Sequence, residues 1–177
     1  MERVVEKRAA HSNQRKITRY IAMEKIIIRK AIPADLPVLL EFEQGIITAE
    51  RPFDCTLKDG EIHYYDIAAM IIADDVGVLV AELNNELIGS GYARIENSKV
   101  YLKHPKHAYL GFMYVKPEHR GKGVNKMILD GLTLWSKQQG ITELRLDVYD
   151  ENEPAVKAYE KAGFSKHLDL MRKGIAD

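Results

Sequence analysis

The chain is poor in cysteine: among 177 residues only Cys55 carries a thiol, which excludes an intrachain disulfide. Its PFDCTLKDG surroundings read as a polar loop, with a catalytic thiol as the sharper alternative. Net charge is also absent. The 26 basic and 26 acidic residues cancel, so no global field draws the chain to nucleic acid or to an anionic membrane. There is no apolar run of membrane-spanning length and no secretory h-region, which predicts a soluble, cytoplasmic protein. The six histidines are scattered; the close pair, His104 and His107, has a proline between and no cysteine or carboxylate cluster near, so no metal site is predicted. Internal repeats and low-complexity segments are missing too.

What is present divides at Met23. Residues 1–22 are rich in Lys and Arg and nearly free of strand signals, and read as an N-terminal extension, with a basic arm for nucleic acid as the alternative. Residues 23–177 read as one domain of alternating elements, long enough for a sizeable core. IIIRKA opens it as a strand, and a helix over 34–44 follows, with Leu36, Val38, Leu39, Leu40 and Phe42 as its apolar face. Glu41, Glu43 and Glu50 make the far end acidic, facing either a cationic substrate or solvent. VGVLVAEL, the reversal at Asn84-Asn85, and LIGSGYARI read as a hairpin. HAYLGFMYV, apolar at nearly every position, reads as a central strand over 107–115.

The most informative stretch is VKPEHRGKGVNKMILDGLTLW, where that strand runs into a basic glycine loop that opens into a helix over 122–139. Val124, Ile128, Leu132 and Trp135 form one stripe of the helix, and Gly140 stops it. Glycines at 121 and 123 let the backbone turn tightly, successive amides can converge there, and the helix adds its positive dipole end. A diphosphate fits such a cradle. The P-loop spacing is not met, because GKGVN has no hydroxyl after its lysine. Beyond it, ITELRLDVY alternates as a strand over 141–149, Pro154 sits in the first turn of another helix ended by Gly163, and FSKHLDLMRK reads as a closing strand.

Two motifs then fall in order. Arg120, Gly123 and Asn125 match R/Q-x-x-G-x-G/A except at the last position, and Asn152, Ala155, Tyr159, Gly163 and Phe164 match N-x-x-A-x-x-x-Y-x-x-x-G-F. Together they resemble the GNAT superfamily of acetyl-coenzyme A dependent N-acetyltransferases. The resemblance implies an α/β fold: a mixed, mostly antiparallel sheet of six or seven strands, about four flanking helices, and two splayed parallel strands forming the acyl-coenzyme A groove. It implies that amides of Gly121, Lys122, Gly123, Val124 and Asn125 hold the pyrophosphate, with Arg120 and Lys122 adding charge. The pantetheine arm would bond to the backbone around Met113, Tyr114 and Val115. Asn152 would tie the following helix to the groove, or simply cap it. Asn125 replaces a small residue and either donates to a phosphate oxygen or crowds it.

The resemblance also implies chemistry: attack of a neutral amine on the thioester, with Tyr159 protonating the coenzyme A sulfur or, alternatively, serving as a core tyrosine. Asp147 is the candidate base, unless Arg145 on the same strand face simply pairs with it. The acceptor is a small-molecule or peptide amine, and the family's habit of homodimerisation is carried over as an expectation. No nucleic acid, membrane or metal partner is expected. A non-catalytic acyl-coenzyme A binding module is the other reading.

Overall fold

In the computed structural model, residues 25–175 are described; the predicted extension over 1–22 lies outside them. Five strands form one sheet in the order β1 (Ile27–Lys30), β2 (Val76–Leu83), β3 (Glu86–Asn97), β4 (Lys106–Val115) and β5 (Leu144–Arg145). The first three pairings are antiparallel and the last is parallel. Four α-helices flank it: α1 (Leu36–Glu50), α2 (Ile67–Ile72), α3 (Val124–Gln138) and α4 (Glu153–Lys161).

Period-two patterning on β2 sorts the core into two layers. Val78 and Val80 face one cluster with Leu39, Phe42 and Ile67, beneath α1 and α2. Leu79 and Ala81 face the other, with Val124, Ile128 and Leu132 of α3. Ile128 and Leu132 are fully buried, worth roughly 1.5–3 kcal/mol each by transfer. The Asn84-Asn85 reversal between β2 and β3 holds both residues at positive φ, 52° and 64°, as a two-residue hairpin of matching twist requires. Asn tolerates that conformation better than most side chains.

Two strand expectations need correction, and the sheet has five strands rather than six or seven among the described residues. Over 141–149 only Leu144–Arg145 pairs, although the alternation continues. The closing strand over 164–173 does not form. That stretch pairs with no strand, exposes Leu168, Leu170 and Met171, and is tethered by side chains, Lys166 to Asp150 and Arg172 to Asp54. Alternation supplies a face, but a strand also needs an edge within reach.

Helix α1 runs farther than the sequence suggests, through Gly45 to Glu50. It lies close on β4: a Cβ at Gly45 would come within 2.5 Å of the Tyr114 ring, so only glycine lets the helix approach that strand. This sets α1 against the stretch of β4 that continues past its pairing with β5.

Candidate active site

β4 and β5 pair only at Ala108↔Leu144 and Tyr109↔Arg145, after which β4 continues to Val115 without a parallel partner. A bulge sharpens the divergence. Tyr92 and Ser90 of β3 sit opposite Gly111 and Tyr114, leaving an extra residue on β4, and Phe112 there takes a positive φ of 56°. The buried Ser90 hydroxyl donates to the Phe112 carbonyl at 3.1 Å, bracing a conformation that costs about 1–2 kcal/mol.

After the bulge, Lys116 N–H donates to Ile88 O at 2.9 Å and Tyr114 pairs with Ser90, so the backbone of these two residues is turned to β3. Strand alternation therefore turns the polar groups of Met113 and Val115 to the open edge. Tyr114 sits between them with its ring against Phe42, centroids 4.8 Å apart. Along that edge an extended ligand can add itself as a strand would.

The glycine loop closes one end of this gap. Gly121 and Gly123 hold φ of 71° and 83°, and Gly123 is the N-cap of α3. No side chain caps this helix start, whereas Asp66 accepts from Ala69 N–H on α2 and Asn152 accepts from Ala155 N–H on α4. The first amides of α3 are thus donors in search of an acceptor, backed by the helix dipole. A Cβ at Gly121 or Gly123 would meet nothing within 4 Å, so the space before the cradle is open. Val124 is buried beneath it and Asn125 stands half-buried in the first turn. Arg120 folds back: its Nε donates to Val115 O at 3.0 Å, and its guanidinium lies 6.0 Å from the Tyr114 ring centre. That bond fixes loop to strand and leaves the charge at the mouth of the gap. Lys122 is exposed.

Tyr159 of α4 packs on the α3 side of the sheet, against the same cluster as Leu144, Leu146 and Phe164, its ring 6.0 Å from that of Phe164. Burial, with a smaller contribution from the Glu50 charge, pushes its phenol up to about 12. It therefore keeps its proton throughout the neutral range. Asn152 is engaged as the α4 cap, its Oδ1 3.3 Å from Ala155 N.

Asp147 is exposed and accepts from the Tyr109 hydroxyl at 3.0 Å. The pairing with Arg145 that the sequence left open does not form; Arg145 binds Glu143 at 2.6 Å and lies 3.3 Å from His104 Nε2. The burial of Tyr109 raises its phenol, and the Asp147 charge raises it further.

Glu50, at the last turn of α1, is one of the three glutamates that the sequence reads as the acidic end of this helix. It is half-buried, and burial raises its carboxyl. Its charge is felt by the phenols of Tyr64, Tyr65, Tyr149 and Tyr159. Tyr64 and Tyr65 are delivered by Glu43, whose fully buried carboxylate accepts from Tyr64 N–H at 2.7 Å, from Tyr65 N–H at 2.9 Å, and meets His63 Nδ1 at 2.7 Å. Tyr149 stacks on Phe53 at 5.9 Å, with its hydroxyl 3.4 Å from Asp54 Oδ2. The signal was the acidic end of α1 together with the Tyr64-Tyr65 pair, but helical spacing does not say which glutamate meets the loop. Among the described residues no group of three or more acidic, His or Cys side chains is placed to hold a metal ion. None of their helices is long and apolar enough to cross a membrane.

The family model described as the acetyltransferase (GNAT) family matches residues 46–164, which include the cradle, the gap, Tyr159 and Glu50. An uncharacterized N-acetyltransferase, YobR, of Bacillus subtilis is 43% identical over 56 residues, 32% of this chain and 23% of its own. The mycothiol acetyltransferase of Propionibacterium freudenreichii is 31% identical over 130 residues, 70% of this chain and 35% of its own. The chain thus spans about a quarter to a third of the length of these curated relatives. A predicted acetyltransferase of Clostridium acetobutylicum, solved with acetyl-CoA, superposes with a TM-score of 0.62 at 20% identity, covering 85% of this chain and 97% of its own. That likeness is one of fold.

Proposed function

Because the chain belongs to the acetyltransferase (GNAT) family, we propose that it transfers an acetyl group from acetyl-coenzyme A to a primary amine by direct attack. The observation that carries the reading is the uncapped, glycine-built start of α3 beside the gap between β4 and β5.

Acetyl-coenzyme A is a co-substrate here. Amides from Gly121 to Asn125 receive its diphosphate, a site that suits anions by dipole and donor count. Arg120 and Lys122 add positive charge, and the Asn125 amide can donate to a phosphate oxygen. The pantetheine arm lies along the open edge of β4, bonding to backbone groups of Met113 and Val115. Since Val115 O already accepts from Arg120, its N–H remains for the ligand and can polarise the thioester carbonyl.

When the carbon–sulfur bond breaks, its electron pair leaves on sulfur and needs a proton. Tyr159 holds one at neutral pH and is the residue that would supply it. The acceptor is a small-molecule or peptide amine entering from the α1 side. Its nitrogen must lose a proton before attack, and Asp147 is the candidate base. Asp147, exposed and held by Tyr109, meets the incoming ammonium first.

Free thiol released from acetyl-coenzyme A in the presence of a panel of amines tests the proposal. Release that requires both protein and amine supports it. Tight acetyl-coenzyme A binding with no release for any amine would make the chain a non-catalytic binding module.

A further inference from the structure

Past Tyr109↔Arg145 the ladder between β4 and β5 stops, and among the described residues no backbone hydrogen bond joins residues 146–149 to β4. One side-chain bond crosses instead: the Tyr109 hydroxyl donates to Asp147 Oδ2 at 3.0 Å. We propose that Tyr109 is a positioning residue for the acceptor, a strut that spans the parting strands and fixes where Asp147 presents its carboxylate. The inference rests on the acetyl-transfer reading above, which gives that carboxylate to the acceptor's nitrogen.

The first support is how the strut is held. Register partners point to one face of a sheet, so Arg94 of β3, Tyr109 of β4 and Arg145 of β5 make one row across it. Asp147 lies two residues beyond Arg145, where it meets the hydroxyl of that row's tyrosine. The Arg94 guanidinium lies 5.9 Å from the Tyr109 ring centre and 5.7 Å from that of Tyr92. Arg94 is fixed in turn by two bonds to Glu96 Oε1, at 3.0 and 2.6 Å. Tyr92 covers the next pair along: a Cβ at Gly111 would come within 2.6 Å of its hydroxyl, so the missing side chain leaves the Tyr92 ring its place over β4. A phenol set among such neighbours delivers its hydroxyl to one place.

The second support is what the strut leaves free. Asp147 is exposed and forms no ion pair among the described residues, because the cation nearest in sequence, Arg145, is bonded to Glu143 at 2.6 Å. With Oδ2 on Tyr109, Oδ1 is open to an incoming ammonium. A neutral hydroxyl holds the carboxylate without cancelling its charge, which a guanidinium in the same place would do. Burial first, and the Asp147 charge second, raise the Tyr109 phenol above its ordinary value, so it keeps its proton and acts only as a donor. This separates it from Tyr159, whose proton goes to sulfur in the proposed reaction. An exposed aspartate on a stretch of chain outside the ladder has several rotamers open to it, and productive attack tolerates little displacement. The bond from Tyr109 removes that freedom.

The test measures acetylation of tyramine and putrescine by the full chain and by Tyr109→Phe, Asp147→Ala and the double variant, with Tm and a calorimetric acetyl-coenzyme A Kd for each. Tyr109→Phe keeps the ring and loses only the hydroxyl, so Tm and Kd should hold while amine kcat/KM falls about 10- to 100-fold, the penalty of a misplaced reacting group. Asp147→Ala should lose at least as much. The double variant should lose no more than Asp147→Ala alone, because Tyr109 has nothing to position once the carboxylate is gone. Wild-type kcat/KM for Tyr109→Phe, or losses that multiply in the double variant, would overturn the inference while leaving acetyl transfer intact. A Tyr109→Phe protein that loses Tm and acetyl-coenzyme A affinity along with kcat/KM would assign the tyrosine to packing and overturn it too. Asp147 is exposed, so Asp147→Ala gives an independent check whatever the tyrosine variant does to folding: wild-type kcat/KM there overturns the inference by itself. An unmodified chain that binds acetyl-coenzyme A but acetylates neither amine would overturn the acetyl-transfer reading, and the inference with it.

Discussion

Replacing Gly123 by alanine tests the cradle, because two effects that usually mix can be measured apart. Gly123 has φ 83° and ψ 4°, and an added Cβ would meet nothing within 4 Å. The cost is therefore backbone strain without a clash, about 1–2 kcal/mol for a non-glycine residue in the left-handed region. For a chain of this size each kcal/mol lowers Tm by about 2–4 °C, so a fall of about 2–8 °C is expected. If the loop relaxes to relieve that strain, the amides that converge on the diphosphate turn away. Losing one charge-assisted hydrogen bond, about 1.5–3 kcal/mol, weakens acetyl-coenzyme A binding roughly 10- to 100-fold. Gly140, just past the far end of the same helix, is the control: φ is 75°, and a Cβ there also meets nothing within 4 Å. Gly140→Ala should lose similar Tm and keep its Kd. Differential scanning calorimetry and isothermal titration with acetyl-coenzyme A read both quantities. Equal Tm losses with both Kd values unchanged would refute the cradle.

Tyr159→Phe keeps the packing on Leu144, Leu146 and Phe164 but removes the proton donor, so kcat should fall about 10²-fold or more with Tm and acetyl-coenzyme A Kd unchanged; stopped-flow thiol release checks it. Glu43→Gln leaves at least one of three donors facing a nitrogen rather than an oxygen at a fully buried site, and should cost about 1–3 kcal/mol in denaturant unfolding. The His63 imidazole is held above its ordinary value by that carboxylate, so its stabilising pairing is fully present below about pH 6.5 and is lost as pH rises through the higher folded value. His63→Gln should flatten that decline in a pH series of unfolding midpoints.

Where local chemistry dictates conformation, the sequence was readable. Positive-φ glycines at 121 and 123, the Asn84-Asn85 reversal, the α3 stripe and the Asn152 start of α4 all appear as expected, because each depends on neighbours a few residues away. Three glutamates of α1 show where reading by periodicity stops. Glu41 is exposed, Glu43 is wholly buried, and Glu50 is half-buried, and Glu43 is enclosed by the 61–66 segment, which folds over one side of the helix. The strand over 141–149 shortened because β5 diverges from β4, and divergence is a property of the pair. The closing stretch kept its alternation without finding an edge.

Direct acetyl transfer is tested most sharply by a single-turnover experiment, with the protein in excess over acetyl-coenzyme A and tyramine present. The account predicts one free thiol and one N-acetylated tyramine per acetyl-coenzyme A consumed, with the intact protein mass unchanged at every time point. An acetylated protein that forms and decays on the path, or thiol release without acetylated amine, would contradict it.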